Sequence, residues 1–190
     1  MYLAVFLEKE SPFSVVAGHS LGEYSALYAA GVITFDEGVL LTRRRGLYMK
    51  DSPSCPGSMM AVMGLGPEKV EKVFSAFPNV YIANQNFLVQ TVISGEKLSL
   101  YQAKNVCEEM GASRVVELKV SAAFHTPFME QAKKQMQIEI EGTHFREPSC
   151  FVIPNCLAIP NKDVSQIYTA LIRQIIEKVL WMDTFLQQKP

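Results

Sequence analysis

The run Gly18-His19-Ser20-Leu21-Gly22 limits what this chain can fold into more than any other stretch. Before it, Ser14 to Ala17 are apolar and β-branched, a strand pattern; after it, Ser20 to Ala30 are helix formers that stop at Gly31. The backbone must therefore pass from strand to helix within a few residues. Glycines two positions either side of a serine allow the strained turn that lifts its hydroxyl into a cleft, a nucleophile elbow. A serine hydroxyl is a weak nucleophile at neutral pH, so it needs a neighbouring base and N–H donors waiting for the oxyanion. The Leu21 backbone N–H, at the start of the helix, is the natural first donor.

Three histidines can supply the base. His19 adjoins the serine, and neighbours across an elbow point apart, so it reads as a wall or ligand contact. His144 lies in the polar stretch Glu141-Gly142-Thr143-His144, a solvated loop. His125, in Ser121-Ala122-Ala123-Phe124-His125-Thr126-Pro127, follows a strand end and precedes a proline-started helix, and it is the best candidate. Its other ring nitrogen needs a partner to fix the tautomer; no acidic residue announces itself, and a backbone carbonyl would serve instead. Arg43, Arg44 and Arg45 sit on one helical stretch. Successive helical residues are about 100° apart, so the three cannot share a face, and one can turn inward to offer its planar fork to a carboxylate.

Periodicity arranges the remainder as an α/β chain. Phe35 to Met49 read as a helix with Asp36 and Glu37 in its first turn, and Asp51 to Gly57 break the chain. An apolar run from Ser58 to Leu65, a helix opened by Pro67, strands at Val80 to Ala83 and Thr91 to Ser94, a helix from Lys97 to Met110 and a strand from Arg114 to Val120 give the order β-α-β-β-α-β, a ferredoxin-like lobe at 58–120. The chain returns through a helix after Met129, a strand at Cys150 to Ile153 and a closing helix from Val164 toward Val179.

Composition narrows the class of partner. With 18 basic and 19 acidic side chains, no overall field points to nucleic acid or an anionic membrane. Cys55, Cys107, Cys150 and Cys156 lack Cys-x-x-Cys spacing, which argues against a disulfide framework or zinc site and for a reducing, cytoplasmic setting. The apolar Tyr2 to Leu7 is too short to span a bilayer and reads as a piece of core helix.

Gly18-His19-Ser20-Leu21-Gly22-Glu23-Tyr24-Ser25-Ala26-Leu27, Arg45-Gly46 and Phe124-His125-Thr126-Pro127 together resemble the malonyl-CoA:acyl carrier protein transacylases, which include the acyltransferase domains of polyketide and fatty acid synthases. The resemblance runs from about Ser14 to Trp181. It implies an α/β-hydrolase-like body, here 1–57 and 121–190, interrupted by the ferredoxin-like lobe. It implies that Ser20 carries the acyl group, that His125 is the base, and that Arg45 binds the free carboxylate of a malonyl unit. Asn84 takes the place of a pocket-lining asparagine, and Gln174 that of the residue whose main-chain carbonyl orients the histidine. Phe124, directly before the histidine, favours malonyl over methylmalonyl, although the malonyl pattern has histidine where this chain has Ala122. One methyl is worth only about 1–3 kcal/mol in such discrimination. The implied partners are malonyl-CoA and an acyl carrier protein, with no metal or redox cofactor, since the thioester supplies the activation.

The family usually begins upstream with Gly-Gln-Gly-Ser/Ala-Gln, whose glutamine gives the second oxyanion N–H, and closes with a glycine-rich strand-turn; this sequence carries neither. The expectation is therefore a body truncated at both ends and a site short of one donor, a loss of about 2.7–4 kcal/mol in transition-state stabilisation. Three explanations stand open at this point: a truncated isoform, a fragment of a longer chain, or one half of a split protein whose absent strands a partner chain supplies. Two alternatives stand beside transfer: a thioester hydrolase, with water as acceptor, and a truncated non-catalytic relative.

Overall fold

The computed structural model describes residues 14–52 and 57–187. The expected helix piece at Tyr2 to Leu7 and residues 53–56 of the expected break lie outside them. The strand before Ser20 is only Val15–Val16 (β1), paired in parallel with Phe151–Val152 (β6) by Val15↔Phe151 and Val16↔Val152. Both are shorter than the apolar runs that predict them, because the ladder ends where Gly18 and Pro154 turn the chain away.

Helix α1 spans Gly22–Ala29, beginning two residues later than its pattern suggests because Ser20 takes a positive φ of 51°. Thr34 and Glu37 form a reciprocal capping box for α2, Phe35–Lys50, and Arg146 reaches Glu37 Oε2 at 2.8 Å. These helices pack with α5 (Glu130–Glu141) and α6 (Val164–Arg173) around Tyr24, Leu27, Leu41, Met136, Ile140 and Leu171.

Between residues 57 and 117 the chain builds an antiparallel sheet from β2 (Gly57–Met63), β3 (Val80–Phe87), β4 (Gln90–Glu96) and β5 (Arg114–Glu117), in the order β3-β4-β2-β5. Helices α3 (Pro67–Phe74) and α4 (Lys97–Glu109) lie in sequence between β2 and β3 and between β4 and β5. Side chains alternate across the strands. Met60, Val62 and Ile93 bury against Leu100, Ala103 and Cys107 of α4, while Met59, Ala61, Ala83 and Val92 form a separate cluster on the opposite face. Phe124 packs on that cluster and on the helical core at once.

The closing helix departs from its expected span. It stops at Arg173, and a short helix α7, Trp181–Leu186, follows. The intervening backbone is captured elsewhere: Val179 exchanges hydrogen bonds with Ala83 and Gln85 of β3, and Leu180 N–H donates to the Asn155 carbonyl. The described chain is thus a mixed α/β structure with one parallel and one antiparallel sheet.

Candidate active site

Gly18 is what permits the turn. A Cβ there would stand 2.0 Å from the Gly22 carbonyl oxygen and 2.2 Å from its carbon, both backbone atoms. Gly22 is different, since a Cβ there meets no described atom within 4 Å, so only the first glycine of the motif is sterically required. Ser20 and His125 both hold positive φ, 51° and 58°, a strain of about 1–3 kcal/mol each that persists only where surrounding bonds fix it.

Ser20 Oγ lies 2.8 Å from His125 Nε2, and His125 Nδ1 lies 2.8 Å from the Gln174 main-chain carbonyl. A carbonyl only accepts, so Nδ1 carries the proton and donates to it, leaving the Nε2 lone pair to accept from the serine hydroxyl. Burial, followed by the charge of Arg45, lowers the His125 pKa to about 3, so the ring is neutral at pH 7.

Of the three arginines, Arg43 and Arg44 are exposed and Arg45 alone is turned inward. Its Nη2 donates to Ser20 Oγ at 2.9 Å and to Gln174 Oε1 at 3.1 Å, while Nε has no partner. Burial lowers its pKa, and Tyr24 and then Glu23 act electrostatically against that lowering. No ion pair among the described residues includes Arg45.

The other expected residues border this centre. Leu21, at the N-terminal end of α1 in helical conformation, puts its backbone N–H beside the serine. His19 takes its partners from the sheet part and from α7: its Nε2 is 3.0 Å from Asn86 Oδ1 and 3.2 Å from Asn84 Nδ2, and Trp181 meets its ring edge-on at 5.1 Å. Asn84 therefore reaches the site through His19. Phe124 is half-buried next to the histidine. His144 is exposed, as its polar surroundings suggest. A cavity of about 270 Å³ between α1 and α2 lies along Tyr28, Phe35 and Val39, and of the expected site residues only Leu21 lines it.

Sequence reasoning missed Asn155 and Glu23. Asn155 Oδ1 accepts the Ser20 N–H at 2.6 Å and its Nδ2 donates to the Gly18 carbonyl at 2.8 Å, so one side chain closes both ends of the turn. Gln174 does more than lend a carbonyl, because its Nε2 donates to the Ser20 carbonyl at 2.9 Å. Asn155 gives no signal beyond Pro154-Asn155, which reads as a plain turn. Among the described residues no group of three or more His, Cys, Asp or Glu converges to hold a metal ion, and no helix is long and apolar enough to cross a membrane.

Residues 13–166 match the acyl transferase domain family. The chain is 39% identical over 186 residues to the polyketide biosynthesis malonyl CoA-acyl carrier protein transacylase PksC of Bacillus subtilis, covering 96% of this chain and 64% of that protein. It is 35% identical over 174 residues to the malonyl CoA-acyl carrier protein transacylase of Haemophilus influenzae, covering 90% of this chain and 56% of that protein. The crystal structure of acyl-carrier-protein-S-malonyltransferase from Bartonella henselae superposes with a TM-score of 0.87 at 37% identity, covering 91% of this chain and 56% of that one. The chain thus spans somewhat more than half the length of these three relatives. A serine elbow with its histidine in reach, and a match over most of the sequence, make this chain a member of the acyl transferase domain family.

Proposed function

We propose that this site moves a malonyl group from coenzyme A to the phosphopantetheine thiol of an acyl carrier protein through an acyl-Ser20 intermediate. The observation that carries the reading is the convergence on one oxygen of a neutral histidine at 2.8 Å and a buried arginine at 2.9 Å. A serine hydrolase of neutral esters needs the first and not the second. A buried guanidinium without an ion-pair partner is costly, and a substrate carboxylate would supply that partner.

In the first half-reaction His125 Nε2 takes the Ser20 proton as Oγ attacks the thioester carbon. The oxyanion gathers at the Leu21 N–H, the C–S bond breaks, and the proton passes from His125 to the departing thiolate. The second half runs in reverse, with the carrier thiol giving its proton to His125 and attacking the acyl-serine. The Gln174 carbonyl stabilises the imidazolium formed in each half. The malonyl carboxylate, seated on Arg45, also offsets the positive charge that depresses His125, so the correct substrate strengthens its own base. Phe124 crowds the carbon between the two carbonyls and disfavours a methyl branch.

We read the architecture in the same terms: a ferredoxin-like lobe at 58–120 set into an α/β-hydrolase-like body at 1–57 and 121–190. The strand order β5-β2-β4-β3 and the separate core of that sheet support it.

Incubation with labelled malonyl-CoA followed by intact-mass analysis tests the proposal. The expected result is a malonyl adduct absent from Ser20→Ala, with Arg45→Ala losing malonyl loading far more than acetyl loading. No serine-dependent adduct, or equal losses for both acyl groups, would overturn it; an adduct discharged by water as fast as by carrier thiol would favour a hydrolase.

A further inference from the structure

The Glu23 carboxylate is fully buried in the first turn of α1, and no step above uses it. An acidic residue serving only the helix dipole would sit in water, because burying a carboxylate is expensive. Here Oε2 accepts two hydrogen bonds, from the Asn155 backbone N–H at 3.1 Å and from Gln174 Nε2 at 2.8 Å, while Oε1 has no partner. Those two donors belong to the residues that grip Ser20 from both sides. Asn155 holds the Ser20 N–H, and Gln174 Nε2 spends its second hydrogen on the Ser20 carbonyl. Gln174 is also the residue whose carbonyl selects the His125 tautomer.

We infer that Glu23 is a positioning residue for the acyl-transfer centre: by tying Asn155 to Gln174 it fixes both the left-handed backbone of Ser20 and the Nδ1–H tautomer of His125, without touching substrate. This rests on the Ser20–His125 reading given above. The side chain must be long enough to meet both donors and must end in an acceptor oxygen. Glutamine keeps both properties, aspartate loses the reach, and alanine loses everything.

The test measures two quantities on the full chain: the rate at which malonyl-CoA acylates Ser20, and the tautomer of His125 by ¹⁵N NMR, in which only three histidines contribute. Glu23→Ala should slow acylation on the order of 10²-fold, part of the roughly 10⁴-fold that a wrong histidine tautomer costs in a serine triad. Its His125 should show a mixture of tautomers. Glu23→Gln should keep the Nδ1–H form and most of the rate, and Glu23→Asp should fall toward the alanine variant. If Glu23→Ala does not fold, the aspartate and glutamine variants decide, and equal rates and tautomers for that pair overturn the inference. A wild-type chain without an adduct would count against the transfer reading alone, since the tautomers still report on Glu23.

Discussion

The antiparallel sheet with α3 and α4 buries no charged side chain; its core is Met60, Val62, Ile93, Leu100 and their neighbours, and its orphaned groups are the neutral hydroxyls of Thr91 and Ser94. The helical part around Ser20 is of the same chain and comparably buried, yet it encloses Glu23, Arg45 and His125 and holds three non-glycine residues at positive φ, Ser20, His125 and Ala158, where the sheet part holds only Asn79, a residue type that tolerates that conformation. Regular strands satisfy their own backbone and ask only for apolar contact. The elbow needs Asn155, Gln174 and Glu23 to stay bent. The contrast teaches that strain and desolvated charge gather where a hydroxyl must be presented, and that the sheet part supplies stability together with a modest number of polar contacts, Asn84 and Asn86 on His19.

Gly18→Ala is the strongest way to break this comparison. The new Cβ would press into backbone of the first turn of α1, which cannot step aside as a side chain can. A loss exceeding about 4 kcal/mol in denaturant unfolding is expected, in the range reserved for a named steric or burial failure. A variant as stable as the parent, still acylated at Ser20, would show that the elbow is not strained as described. Leu100→Ala probes the other side. Leu100 is fully buried between α4 and the sheet, and its truncation should cost about 2–5 kcal/mol while each folded molecule keeps its Ser20 reactivity. If acylation per folded molecule collapsed as well, the sheet part would be setting the chemistry and the division drawn here would fail.

That division also separates what was legible in the sequence from what was not. Gly18 to Gly22 and the β-α-β-β-α-β order are consequences of local spacing, and periodicity records them; for the arginines spacing says only that one of three can turn inward, and the choice of Arg45 comes from the family resemblance. The end of α6 is not local: Val179 leaves helical geometry because β3, nearly a hundred residues away in sequence, offers it a ladder partner. Glu23 looks from sequence like any first-turn acid. Its meaning comes from Asn155 and Gln174, 132 and 151 positions distant, and no short window contains that information.

The smallest effect expected is in the pH dependence of stability, where two buried groups oppose each other. His125 has an ordinary value of 6.5 and a folded value of about 3, so the unfolded chain binds the extra proton between them and stability rises with pH across that window. Glu23 runs the other way: burial lifts it from 4.5 to about 7, the folded chain holds the extra proton, and stability falls as pH rises through that interval. Where the windows overlap, from pH 4.5 to 6.5, the two slopes offset. Glu23→Gln removes the falling one and leaves the other. Between pH 5 and 6 this variant should therefore gain about 1 kcal/mol relative to wild type, the size of one proton per pH unit. Urea unfolding at the two pH values measures it, and parallel behaviour of the two proteins would mean that Glu23 does not hold its proton in the folded chain.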